Sequence, residues 1–173
     1  MRYSRLKAQG SRLLVAGCLC LSLLTAPGMA DAAISMSLDK NMIDFRAMDP
    51  GDTREVSDQG SYHNQITCSS TNSRTWYIKA HMVKPFTYRQ FTIPAESLKW
   101  MVVSVGDGKG TVYNNLNTQN PFSTIPGTIY TSSDLDNTGR EVKIQLRYIL
   151  AVQKNQVAGA YDGLIRLTMT EVF

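Results

Sequence analysis

The chain has 173 residues, with 18 Lys and Arg against 14 Asp and Glu, for a net charge of +4. The first 32 residues hold four of those bases and one acid, so residues 33–173 keep 14 bases against 13 acids. That near-neutral remainder gives no evidence for nucleic-acid binding, which needs a clustered basic patch, and its length suits one domain with its own core.

The N-terminus sets the expected compartment. Arg2, Arg5, Lys7 and Arg12 precede an apolar run from Leu13 to Ala26, which Pro27 and Gly28 end. The run is shorter than the roughly 20 residues a membrane-spanning helix needs. Ala30-Asp31-Ala32 offers small residues at the −3 and −1 positions of a cut. A basic start, a short apolar stretch and an A-x-A site read as a signal peptide over residues 1–32. The expected location is therefore secreted, in a periplasm or at a cell surface. A rival reading takes Val15-Ala16-Gly17-Cys18 as a lipobox that would lipidate Cys18. It leaves only Leu13 to Ala16 as an apolar core, against the usual 7–15 residues.

From residue 33 the dominant period is two, the period of a strand with one face buried. Ile34, Met36 and Leu38 alternate with Ser35, Ser37 and Asp39. Shorter strand candidates follow at Met42–Arg46 and Tyr62–Ser69, separated by the turn Asp49-Pro50-Gly51-Asp52. Trp76, Ile78, Ala80 and Met82 alternate with Tyr77, Lys79 and His81. Pro85 to Pro94 reads as irregular. Leu98–Val105 and Thr128–Ser132 read as strands. Gly106 to Gly110 reads as a hairpin loop, and Asn114 to Pro126 as a long polar surface connection. The clearest strand runs from Glu141 to Val152, with Val142, Ile144, Leu146, Tyr148, Leu150 and Val152 on one face. Ile165, Leu167 and Met169 repeat the pattern near the end. Seven to nine strands separated by turns predict an all-β, immunoglobulin-like antiparallel sandwich as a single domain over residues 33–173.

Residues with chemical potential are sparse, and the chain reads as a non-enzyme without catalytic, cofactor or metal site. His63 and His81 are its only histidines, and both fall on the polar side of their strands, as surface imidazoles. Zinc sites use three or four ligands. No H-E-x-x-H, G-x-S-x-G or phosphate-loop pattern occurs. Asp134-Leu135-Asp136-Asn137-Thr138-Gly139 resembles the opening of a calcium loop. Gln145 stands where the closing glutamate belongs, so a plain hairpin turn is the better reading. Cys68 is the one cysteine beyond residue 32. It reads as a core thiol, with an interchain bridge as the rival. Trp76 and Trp100 read as core, while Tyr77, Tyr88 and Tyr113 are available for a sugar-stacking surface.

The segment Ala158-Gly159-Ala160-Tyr161, followed by Ile165-Arg166-Leu167-Thr168-Met169-Thr170, resembles the ending of secreted bacterial β-sandwiches of the pilus-subunit and spore-coat-U type. Ile66-Thr67-Cys68 and Trp76-Tyr77-Ile78 resemble early immunoglobulin strands. The resemblance implies that the last segment is a closing strand. It also implies assembly by strand donation, in which one subunit's N-terminal segment completes the sheet of the next. Ile34, Met36 and Leu38 are spaced for donation, or for an ordinary first strand. Many pilus subunits carry a disulfide, which residues 33–173 cannot form internally. Tyr161 is placed to make a tyrosine-corner bond to nearby backbone. The expected function is thus a structural or adhesive surface protein, a fimbria-like subunit. Its partners would be copies of itself or related subunits, and an export chaperone. No stable membrane span is expected in residues 33–173. The alternative is an extracellular or periplasmic module that binds carbohydrate or peptide without catalysis.

Overall fold

The computed structural model describes residues 6–7, 11–15, 33–57 and 60–172. Cys18 and the expected cleavage site at Ala32 lie outside the described residues. The strands, in chain order, are β1 (Leu6–Lys7), β2 (Ser11–Val15), β3 (Ile34–Leu38), β4 (Met42–Ile43), β5 (Ala47–Met48), β6 (Thr53–Val56) and β7 (Asn64–Ser70). They continue as β8 (Trp76–Tyr88), β9 (Phe91–Ile93), β10 (Leu98–Gly106), β11 (Thr111–Val112), β12 (Asn120–Pro121), β13 (Gly127–Thr131), β14 (Val142–Ala151) and β15 (Asp162–Glu171). Among the described residues the only helical pieces are single 3-10 turns at Ala95–Ser97 and Asp134–Asp136.

Two antiparallel sheets pack against each other, as the alternation predicts. One has the order β12-β10-β14-β7-β3, with β6 also paired to β14. The other has the order β11-β13-β8-β15-β2-β4, with β9 paired to β8. The run β3-β7-β14-β10 follows the A-B-E-D order of an immunoglobulin domain, and β8-β15 stand as its strands C and F. The core lies between the sheets. Val142, Ile144, Leu146, Tyr148 and Leu150 of β14 meet Trp76, Ile78 and Met82 of β8 and Ile165 and Leu167 of β15 within it. The intervening residues Lys143, Gln145 and Arg147 look outward, as the period of two requires.

The strand count departs from expectation. Thirteen strands, rather than seven to nine, lie from residue 33 onward among the described residues. The surplus consists mostly of two- and three-residue pieces, β5, β9, β11 and β12, too short to carry a readable alternation. Pro85 to Pro94 is not irregular: β8 runs through Pro85 to Tyr88 and turns back into β9. The β8–β15 ladder slips its register between Asp162 and Leu164, opposite Lys84 and Thr87. Proline is tolerated at such a bulge because the ladder there is already interrupted. Arg89 takes the left-handed backbone, φ 53°, to close the turn.

Two loops read as hairpins instead cross between sheets. Gly106–Gly110 leads from β10 to β11 and Asp134–Gly139 from β13 to β14, each from one sheet to the other. A shared polar clasp explains both. Buried Asp136 accepts hydrogen bonds from the Lys109 amide (2.8 Å), the Tyr130 hydroxyl (2.7 Å) and the Ser133 amide (2.9 Å). The Tyr130 hydroxyl in turn accepts from the Gly110 amide at 2.7 Å. A side chain at Gly110 would run into the Thr131 carbonyl oxygen. His63 is also a correction: it is 3 % exposed, not a surface imidazole. Its ring Nε2 lies 2.9 Å from the Met42 carbonyl oxygen.

Candidate functional site

The last long strand, β15, anchors the candidate site. One of its edges pairs antiparallel with β8 from Asp162 to Glu171. Its other edge faces β2, which runs parallel to it with Leu164, Ile165, Arg166 and Leu167 opposite Arg12, Leu13, Leu14 and Val15. The far side of β2 pairs antiparallel with Met42 and Ile43 of β4. Strand β2 therefore fills a slot between β15 and β4. In an immunoglobulin domain the position beside strand F belongs to strand G. Here a segment from the N-terminal 32 residues sits in it.

The body of the domain shapes this slot from the β15 side. Ile165 and Leu167 point into the core and are fully buried, as are Ile43, Phe45 and Met48 near its opposite wall. The approach to β15 is held by Tyr161. Its hydroxyl donates to the Val157 carbonyl oxygen at 2.8 Å and accepts from the Gln156 side-chain amide at 2.7 Å. The Tyr161 ring lies 5.8 Å from that of Tyr88, and a side chain at Gly159 would strike the Tyr88 ring. These contacts fold residues 156–161 against the end of β8 and so fix where β15 starts. Tyr161→Phe keeps the ring and deletes the hydroxyl, so its expected cost is about 1 kcal/mol. Urea unfolding measures it, and an unchanged midpoint would remove the hydroxyl from the account.

Ile34, Met36 and Leu38 lie in β3, which pairs along its whole length with β7, from Ile34 opposite Ser70 to Leu38 opposite Ile66. All three are half-buried, and Met36 and Leu38 pack against the core. They do not pair with β15: β3 edges the opposite sheet and pairs with β7. Periodicity singled out this strand, but only the pairing partners distinguish a strand in place from one held out. The slot itself has no sequence signal of its own, because its walls come from positions about 120 residues apart in the chain.

The remaining sequence candidates are dispersed. Cys68 is 1 % exposed and free, and burial pushes its thiol pKa up to about 12, which suppresses the reactive thiolate. Desolvation, then the nearby Arg166 charge, lowers the pKa of His81. No group of three or more His, Cys, Asp or Glu side chains suited to a metal occurs among the described residues. In the loop that resembled a calcium site, both Asp136 oxygens already accept protein hydrogen bonds. No described helix is long and apolar enough to cross a membrane. Compared with known protein families and with curated proteins, the chain matches none.

Proposed function

We propose that the protein is an exported structural subunit of a surface assembly, and that its β15 edge accepts a strand from a partner. One observation supports this reading. The strand completing the sheet beside β15 comes from residues 11–15, inside the segment whose sequence reads as a cleavable signal peptide. A cut after Ala32 would remove it. The edge of Leu164–Leu167 would then present unpaired backbone groups directly over the core side chains Ile165 and Leu167. An open edge of that kind is a template for strand addition. In this reading the slot is the acceptor, and an extended segment of another subunit, or of an export chaperone, is the occupant.

Light scattering on residues 33–173 over a range of concentrations tests the reading. The expected result is polymer that grows with concentration, resists heating and is suppressed by a synthetic peptide covering residues 10–17. A folded monomer at every concentration would sink it.

A further inference from the structure

A second feature lies on the opposite side of the sandwich from the β15 slot, at the edge carrying β11, β12 and β13. The connection from Tyr113 to Pro126 leaves β11 in one sheet, pairs briefly with β10 of the other through β12, and returns to β13. Between this connection and the two sheet edges is a cleft of about 510 Å³, within the range of clefts that take small organic ligands.

The cleft is built before any ligand arrives. Backbone amides of the connection bond to both sheets: Tyr113 N–H to the Ile129 carbonyl (3.0 Å), Asn117 N–H to Val102 (2.8 Å) and Phe122 N–H to Leu98 (2.9 Å). Asn114, Asn115 and Asn117 all take the left-handed backbone, with φ of 54°, 70° and 59°. Such residues cost conformational energy, and asparagine tolerates the region better than most side chains. Loops held this way lose little entropy on binding.

The lining has a definite chemistry. Among the described residues no charged side chain lines the cleft, although 18 % of the chain is charged. That argues against anionic and cationic ligands alike. Trp100 forms a floor, 5 % exposed, and Tyr113 a wall, 51 % exposed, with ring centroids 6.4 Å apart at 44°. Asn114 donates through its side-chain amide to Oδ1 of Asn120 at 2.9 Å. Buried Asn120 is itself fixed by donating to the Thr118 carbonyl at 2.9 Å. This chain of bonds orients the Asn114 amide and leaves its carbonyl oxygen to accept from a ligand. Thr128 and neighbouring hydroxyls both donate and accept. Ile125, 74 % exposed, adds an apolar rim.

An exposed aromatic face, an oriented neutral amide and several hydroxyls fit a molecule with apolar C–H faces and a girdle of uncharged hydroxyls. We propose that this cleft is a binding site for neutral carbohydrate. The ring of Tyr113 would stack on a sugar C–H face, and the Asn114 amide and Thr128 hydroxyl would bond its hydroxyls. The site is independent of the β15 slot, and its proposal does not rest on strand addition.

The test uses the full chain on an array holding neutral hexose and N-acetylhexosamine glycans, sialylated and sulfated glycans, and apolar peptides. The best neutral glycan is then titrated by tryptophan fluorescence, which Trp100 reports. The expected result is binding to neutral glycans that does not weaken between low and high salt. Tyr113→Ala and Asn114→Ala should each weaken it about tenfold, the size of one stacking or hydrogen-bonding contact. Tyr113 is exposed, so Tyr113→Ala should keep the parent unfolding midpoint; Asn114→Ala, at a left-handed φ and without its bond to buried Asn120, should lower it, and its binding is measured well below that midpoint. Tyr113→Phe, which keeps the ring, should bind within about threefold of the parent. No neutral glycan bound, binding confined to acidic glycans or peptides, or affinity unaltered in both alanine variants would overturn the proposal.

Discussion

Asp136→Ala is expected to destabilise the sandwich by about 3 kcal/mol, because it removes the shared acceptor of three hydrogen bonds, one of them fully buried. Two of the donors are backbone amides, of Lys109 and Ser133, and the third is the Tyr130 hydroxyl. Asp136 is 1 % exposed and Tyr130 0 %, so water cannot replace the acceptor lost by the Tyr130 hydroxyl without opening the structure. Burial raises the Tyr130 hydroxyl pKa, and its bond to Asp136 raises it further. The hydroxyl therefore stays protonated and remains a donor. The clasp also joins two of the connections that cross between the sheets, so its loss loosens both. Asp136→Asn retains one acceptor oxygen and should cost roughly half as much. Tyr130→Phe removes the hydroxyl that links Asp136 to the Gly110 amide. Because these groups share one network, the double variant should lose less than the sum of the singles. Urea unfolding of the set gives the values. A loss below about 1 kcal/mol for Asp136→Ala, within the range of an ordinary surface substitution, would mean that the clasp does not hold the crossings together.

This clasp also marks the boundary of what the sequence made legible. Alternation located β14 and β15 with their buried faces, because each side chain's direction depends only on its own strand. It also located β3, β7 and the first half of β8. Turn chemistry correctly separated strands around Pro50-Gly51, but it is local. It cannot tell a hairpin from a crossing, since that depends on which sheet the next strand joins. Gly106–Gly110 and Asp134–Gly139 both looked like hairpins and are both crossings. Their geometry is decided by Asp136 reaching Lys109, 27 positions earlier. His63 misled for a related reason. It precedes β7 rather than lying within it, so the strand's alternation said nothing about its face. The ring instead turns inward onto Tyr148.

The two candidate sites were hidden to different degrees. Tyr113 and the tryptophans were noticed as residues able to stack on sugar, but nothing local placed Trp100 of β10 beside Tyr113 after β11. Their approach depends on the excursion of residues 113–126 between the sheets. The slot beside β15 was less legible still. The resemblance implied strand donation and pointed to Ile34, Met36 and Leu38, whereas the segment beside β15 is Ser11–Val15. An apolar N-terminal run reads as a leader, and its capacity to pair with a strand 150 residues away has no local signature.

Deleting residues 33–40 separates the structural reading of β3 from the donor reading, and the expected result is a large loss of fold stability, roughly 4–5 kcal/mol. The estimate has two sources. Met36 and Leu38 are half-buried against the core, opposite Cys68 and Ile66 on β7. Partial burial of two such side chains is worth about 2 kcal/mol. The rest comes from bonds outside the ladder. The Ala33 amide donates to Thr71 Oγ1 (3.1 Å), the Ser35 and Ser69 hydroxyls meet at 2.8 Å, and the Gln65 amide donates to Asp39 Oδ1 (2.7 Å). These bonds pin the segment at both ends, which is the behaviour of a resident strand. Its removal should also uncover Cys68, so the thiol that resists alkylation in the parent should react before global unfolding. A donor strand would behave differently. Its deletion would leave the unfolding midpoint and the Cys68 protection unchanged while abolishing polymer growth. If that second pattern were found, β3 would contribute little to its own domain and would act between subunits. The partner strand for the β15 slot would then be supplied by a further copy of this chain rather than by a different subunit.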